Sequence, residues 1–250
     1  MLEPFATVLV AVGPLAVLLV AAAAVAGGVA QATAGFGAAF VTVPTLALVA
    51  PDLLPGAMLV AALPLSMLMA YRGWDRLDRQ ASVRLMLGRL PGIAVGTAIV
   101  AAAGVRLVTA IVAVVLLAAV AAAATGWQVR ITPGREVAAG MISGVTGTAA
   151  ALGGPPIALL YRGRDPEVLR PTLGLVWAVG IVVALPGLWV TGSFDAAQAA
   201  VGGLLGLLLL LGLVLSRGIV RRLAAERIRT FILLWAAVGG VAALLRVLLT

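Results

Sequence analysis

The sequence predicts an all-α polytopic membrane protein of two inverted-topology repeats, each a broken helical hairpin followed by three transmembrane helices. Three observations carry that prediction: apolar runs from end to end, arginines gathered into four short segments, and a glycine-rich signature that occurs twice. Of 250 residues, 63% are hydrophobic and 10% charged, with a mean hydropathy of +1.20. A water-soluble globule has an apolar share nearer one half, so that class is excluded. Runs of about 20 apolar residues match a hydrocarbon thickness of about 30 Å and leave no room for a soluble domain, so one transmembrane domain over 1–250 is expected. The first stretch carries Glu3 and no basic group before its apolar run, which continues into the glycine signature. It reads as structure rather than as a cleaved leader.

Charges separate the expected segments. The chain opens with 14–34 and 36–50, which meet at Gly35-Phe36-Gly37, and continues with 53–71 beyond Asp52. The stretch WDRLDRQASVR, 74–84, reads as a connecting surface helix on the inner leaflet. Segments 85–104 and 107–125 flank Arg106, and 137–150 follows Arg135 and Glu136. The next, 154–161, covers only about 12 Å at 1.5 Å per residue, so it must be a half-helix that enters and returns. Segments 167–189, 198–216 and 231–249 complete the chain, with Pro64 and Pro186 as kink sites inside spans.

The basic residues fix an expected sidedness. All 17 are arginine, and fifteen fall in 72–89, 126–136, 162–170 and 217–229, Arg89 being counted in the first of these. Placing those four segments in the cytoplasm leaves the surroundings of Asp52, Arg106 and Asp195 on the other side. A formal net charge of +8 then reflects topology beside anionic lipid, and no nucleic-acid partner is expected. Because 137–161 must begin and end inside, it forms a hairpin. By the same logic 14–50 begins and ends outside.

A shift of 112 residues superposes Gly28 on Gly140, Gln31 on Ser143, Gly35 on Gly147 and Pro44 on Pro156; a shift of 110 places Gly92 on Gly202 and Gly96 on Gly206. Repeat one is expected over about 14–125 and repeat two over about 137–249. An odd number of crossings separates them, which inverts the second against the first.

Helix-breaking residues inside an apolar run then make sense. Irregular backbone survives at membrane depth only where it is buried in protein, lines a cavity or meets a ligand. Glycines around Gly35-Phe36-Gly37 permit a turn, and the next helix begins near Ala38 with free amides at its positive end. Pro155 and Pro156 suit the first turn of a half-helix in the second break. Two helix N-termini aimed at the midplane make an anion site that needs no buried cation. Small residues at Ala34 and Ala38, or Gly140 and Gly144, also suit tight packing with no ligand.

The segments GGVAQATAGFGAAFVTVP (Gly27 to Pro44) and GMISGVTGTAAALGGPPIALL (Gly140 to Leu160) resemble the two signatures of the sulfite exporter TauE/SafE family, in order and over essentially the whole chain. The resemblance implies a multi-pass secondary transporter of the cell inner (plasma) membrane. It would carry a small sulfur-containing anion: sulfite, thiosulfate, a sulfonate or a sulfocarboxylate. The substrate-binding candidates it carries over are Gln31, Gly35, Phe36, Gly37, Pro44, Ser143, Gly147, Gly153, Gly154 and Pro155. Thr33, Thr146 and Thr148 join them on physical grounds, as hydroxyl donors beside helix N-termini. Ala149, Ala150 and Ala151 stand where a more glycine-rich pattern is expected.

Other features narrow the chemistry. With no cysteine and no histidine, thiolate chemistry and the commonest base and metal ligand are absent; no cofactor, no metal and no enzymatic activity are expected. No carboxylate falls deep in a segment, which disfavours a proton relay, although Asp165 stands near the second hairpin. Phe36 is either a plug of the hairpin tip or a gate. Trp177 is open between packing and cavity lining, and Tyr161 is expected as an interfacial anchor.

Overall fold

The computed structural model describes residues 13–35, 37–124, 130–219 and 225–249. Among the described residues the chain is helical with no strand: α1 Pro14–Ala34, α2 Gly37–Val49, α3 Gly56–Arg72, α4 Arg79–Ala102, α5 Val105–Ala124, α6 Pro133–Ala150, α7 Gly154–Leu160, α8 Pro166–Val190, α9 Ala196–Ile219 and α10 Ala225–Leu249. Each expected segment corresponds to one of these helices. Six (within α1, α4, α5, α8, α9 and α10) contain windows long and apolar enough to cross a membrane, and the fold is that of a polytopic membrane protein. Exposed apolar side chains such as Leu18, Val114, Leu207 and Val238 coat its outside. They are the surface a lipid environment tolerates.

One expectation about boundaries is corrected. The stretch 74–84 does not form a separate surface helix: residues Trp74–Arg76 make a single 3-10 turn, and α4 begins at Arg79. Asp78 sets that start, its carboxylate accepting the Ala81 N–H at 2.9 Å. The early start carries Arg84 into the helix and leaves Arg89, already inside the expected segment 85–104, about 15 Å beyond its first residue.

Helices α4 and α6 pack along each other through glycines, backbone against backbone. A side chain at Gly88 would strike the Val137 carbonyl, one at Gly92 the Met141 carbonyl, and one at Gly140 the Leu85 carbonyl. Helices α1 and α9 repeat the arrangement: Gly212 faces the Val25 carbonyl and Gly28 the Leu209 carbonyl. Val25 and Gly28 are offset by 112 from Val137 and Gly140, whereas Gly88 and Leu85 are offset by 124 from Gly212 and Leu209. The expected shift of 110 therefore mispairs its glycines. Gly92 and Gly96 pack on α6, while Gly202 and Gly206 pack on α3 beside Ala57 and Ala61.

Among the described residues three apolar clusters fill the interior, one of them joining Leu59, Val100, Ile181 and Leu188 of α3, α4 and α8. The largest joins the first hairpin to α3, α5, α9 and α10 through residues such as Leu46, Met58, Leu116 and Leu209. A smaller one holds Leu85, Ile157, Leu173 and Val176 around the second hairpin. At the far end of α2, Arg246 donates to the Leu48 carbonyl at 2.6 Å, satisfying a helix terminus.

Candidate functional site

The first break is held by its own glutamine. Gly35 ends α1 in the left-handed region, at φ 81°, where glycine has no Cβ to clash. The Gln31 amide donates to the Gly35 carbonyl at 2.6 Å and to Met69 Sδ at 3.1 Å, and its Oε1 accepts the Ala38 N–H at 3.1 Å. One side chain thus ties both helix ends and caps an amide that α2 would otherwise leave free.

The second break uses hydroxyls instead. Ala151 takes the left-handed conformation at φ 54°, which costs about 1–2 kcal/mol for a residue with a side chain. Thr146 Oγ1 lies 2.9 Å from the Ile142 carbonyl and 3.0 Å from the Leu152 carbonyl, and Ser143 Oγ donates to the Gly153 carbonyl at 2.5 Å. Pro155 and Pro156 start α7 without backbone donors. Few free amides therefore remain at this helix start.

Both breaks border one cavity of about 70 Å³. Gln31, Ala38 and Phe40 line it from the first hairpin, Gly147, Gly153, Gly154 and Pro155 from the second, with Ser66 of α3, Arg89 of α4 and Trp177 of α8 completing the wall. Arg89 is 3% exposed. Its Nη1 donates to the Ser143 carbonyl at 3.1 Å and to Ser143 Oγ at 2.5 Å. Gly180 packs directly on the guanidinium, and a Cβ at Gly147 would lie 3.1 Å from Nη2. Arg89 Nε and Trp177 Nε1 are buried with no acceptor. Among the described residues the ion pairs are Arg76 with Glu167 and Arg84 with Glu136, and no carboxylate joins Arg89. Burying a cation unpaired costs several kcal/mol, and an anion in the cavity offsets that cost.

The family model described as Sulfite exporter TauE/SafE matches residues 19–243, nearly the whole chain. The chain belongs to the sulfite exporter TauE/SafE family. This TauE/SafE protein is accordingly a multi-pass membrane transporter of sulfur anions in the general sense of that family. No curated protein and no solved structure matches it.

In this TauE/SafE protein the expected residues divide by position. Gln31, Gly147, Gly153, Gly154 and Pro155 face the cavity. Gly35 faces a second cavity of about 340 Å³ lined by Arg162, Arg164 and Arg170. Gly37 packs on Ala30, and Pro44 packs on Gly239 of α10. Ser143 stands behind Arg89, Thr146 spans the break, and Thr148 is buried against Gly96. Phe36 and the Thr33 side chain lie outside the described residues. Trp177, left open by the sequence, lines the cavity.

Two expectations are overturned. The cavity does contain a buried cation, because the glycine face of α4 packs on α6 and turns Arg89 inward. Tyr161 is no interfacial anchor: it is 4% exposed, and its hydroxyl donates to Glu136 Oε1 at 2.5 Å, while Arg84 donates to Oε2 at 2.9 Å. Glu136 is itself buried and needs both donors. Tyr161→Phe removes one of them, so stability should fall by about 1–3 kcal/mol, seen as a lower unfolding temperature in detergent, with anion affinity unchanged. Lost affinity at unchanged stability would place Tyr161 in the site.

Proposed function

We propose that this protein is a secondary transporter that exports small sulfur-containing anions across the plasma membrane, binding them in the cavity between the two hairpins. The observation that carries the reading is Arg89, a buried guanidinium without a carboxylate partner in a cavity that both breaks line. A planar guanidinium presents paired donors that fit two oxygens of a sulfite or sulfonate group. Arg89 Nε and Trp177 Nε1 supply further unused donors. Gln31 and Ser143 hold the breaks open from behind, and the backbone at Gly147, Gly153 and Gly154 lets the anion approach closely.

The two halves act as inverted repeats in this reading, one over about 14–125 and the other over about 137–249. The matched backbone seams of α4 with α6 and of α9 with α1 support it. So does the match of Ser143 with Gln31, each of which bonds a carbonyl at its own break. The offset of 124 puts Leu213 opposite Arg89, so a single cation serves the site. With the arginine-rich segments in the cytoplasm, an inside-negative potential drives a monovalent anion outward by about 2.3 kcal/mol per 100 mV. Uniport suffices for export. Among the described residues, no carboxylate lines the cavity to relay protons.

Purified protein in liposomes provides the test. Saturable flux of labelled sulfite or methanesulfonate supports a carrier; flux that does not saturate would make it a channel, and none would leave a scaffold.

A further inference from the structure

We infer that the cavity takes its anion singly charged: hydrogen sulfite rather than the sulfite dianion, or an organic sulfonate, with inorganic dianions rejected. The inference rests on the cavity between the hairpins being the transport site.

Charge balance is the starting point. The cavity wall contains one cation, Arg89, and no acidic group. The residues that meet Arg89 are neutral, Ser143 and Gly147 on α6, Gly153 at the second break and Gly180 on α8, and so are the polar residues that share its cavity, Trp177 on α8, Ser66 on α3 and Gln31 on the first hairpin. The titratable residues on those elements and on α4 itself, Tyr71, Arg72, Arg79, Arg84, Arg135, Glu136, Glu167 and Arg170, do not line the cavity. A monoanion therefore makes the site neutral, whereas a dianion leaves one uncompensated charge in a largely apolar cavity.

Size closes the escape route. The cavity, about 70 Å³, half open and lined mainly by apolar groups, leaves a small oxyanion with only part of its hydration shell. Doubling the ionic charge raises the desolvation cost about fourfold, as the square of the charge, but raises attraction to Arg89 only about twofold. Desolvation wins. Sulfite and hydrogen sulfite interconvert near neutral pH, so this preference makes apparent sulfite affinity depend on pH through the ligand.

The experiment is calorimetry on the full chain in detergent, in anaerobic buffer from about pH 6 to about pH 9, with three probes. Methanesulfonate, a monoanion throughout, should bind with constant affinity. Total sulfite should lose affinity about tenfold for each pH unit above its ionisation, and thiosulfate should bind at least about a hundredfold more weakly than methanesulfonate. Sulfite affinity that stays flat or rises with pH, or thiosulfate binding that equals methanesulfonate binding, overturns the inference while leaving the cavity as the site. Repeating the titrations with Arg89→Gln separates the two claims. Unchanged methanesulfonate binding in that variant, or no binding of any probe to the parent protein, overturns the site itself and the charge preference with it.

Discussion

Arg89→Gln should lower anion affinity by about a hundredfold or more and leave the protein at least as stable as its parent. The two halves of that expectation have separate causes. Charge-assisted hydrogen bonds contribute about 1.5–3 kcal/mol each, so losing the cation and even one bond reaches that factor. Stability is spared because Arg89 has no carboxylate partner that its removal would strand. Taking away an unpaired buried charge relieves a desolvation cost. Glutamine can still offer an amide toward Ser143. Arg89→Lys keeps the charge but loses the planar fork and should fall between the two. Calorimetric titration with methanesulfonate, alongside thermal unfolding, measures both quantities. A variant that unfolds readily yet binds normally would reduce Arg89 to a structural bracket for the second hairpin.

The second large effect belongs to the glycine seams. Gly140→Val should destabilise the fold by about 3 kcal/mol or more, because the added side chain meets the Leu85 carbonyl, a rigid part of α4. Neither helix can yield without losing the contacts that hold α4 on α6. Gly28→Val should act alike against Leu209, its counterpart in the other seam. Gly203→Val supplies the contrast, since nothing lies within 4 Å of a Cβ placed there. Monodisperse yield and unfolding temperature in detergent should fall for the first two variants and hold for the third. If Gly140→Val were as robust as the parent, the close α4–α6 seam would be wrong.

How far the sequence reveals this molecule depends on which residues carry the information. Long apolar runs punctuated by Gly35, Pro155 and Pro156 give away ten helices and both breaks, because those residues constrain the backbone locally. Gln31 is visible as a polar residue in an apolar run, but its work across the break is not, since Met69 and Ala38 reach it only after folding. Arg89 is hidden by its company. It follows Arg79 and Arg84 in a basic stretch, and a rule that counts charge places all three in the cytoplasm. The overlooked signal is Asp78 as a helix cap together with Gly88, Gly92 and Gly96 at intervals of four. A helix that begins at Arg79 and carries that glycine face must take Arg89 inward. The 110-residue shift misled for a related reason: glycine is so frequent here that superposed glycines need not share neighbours.

The brevity of α7 bears on the order in which the chain is built into its membrane. Seven residues span about 10 Å, and its two leading prolines weaken it further as an independent insert. Such a piece cannot partition into lipid alone and wait for partners, as a full-length apolar helix can. It has to be delivered on α6, and α6 in turn needs the glycine face of α4. Because α4 is synthesised first, the receiving surface precedes its guest. The cavity between the hairpins is consequently a late product of biogenesis, completed only when the second hairpin settles against a helix that already carries the arginine.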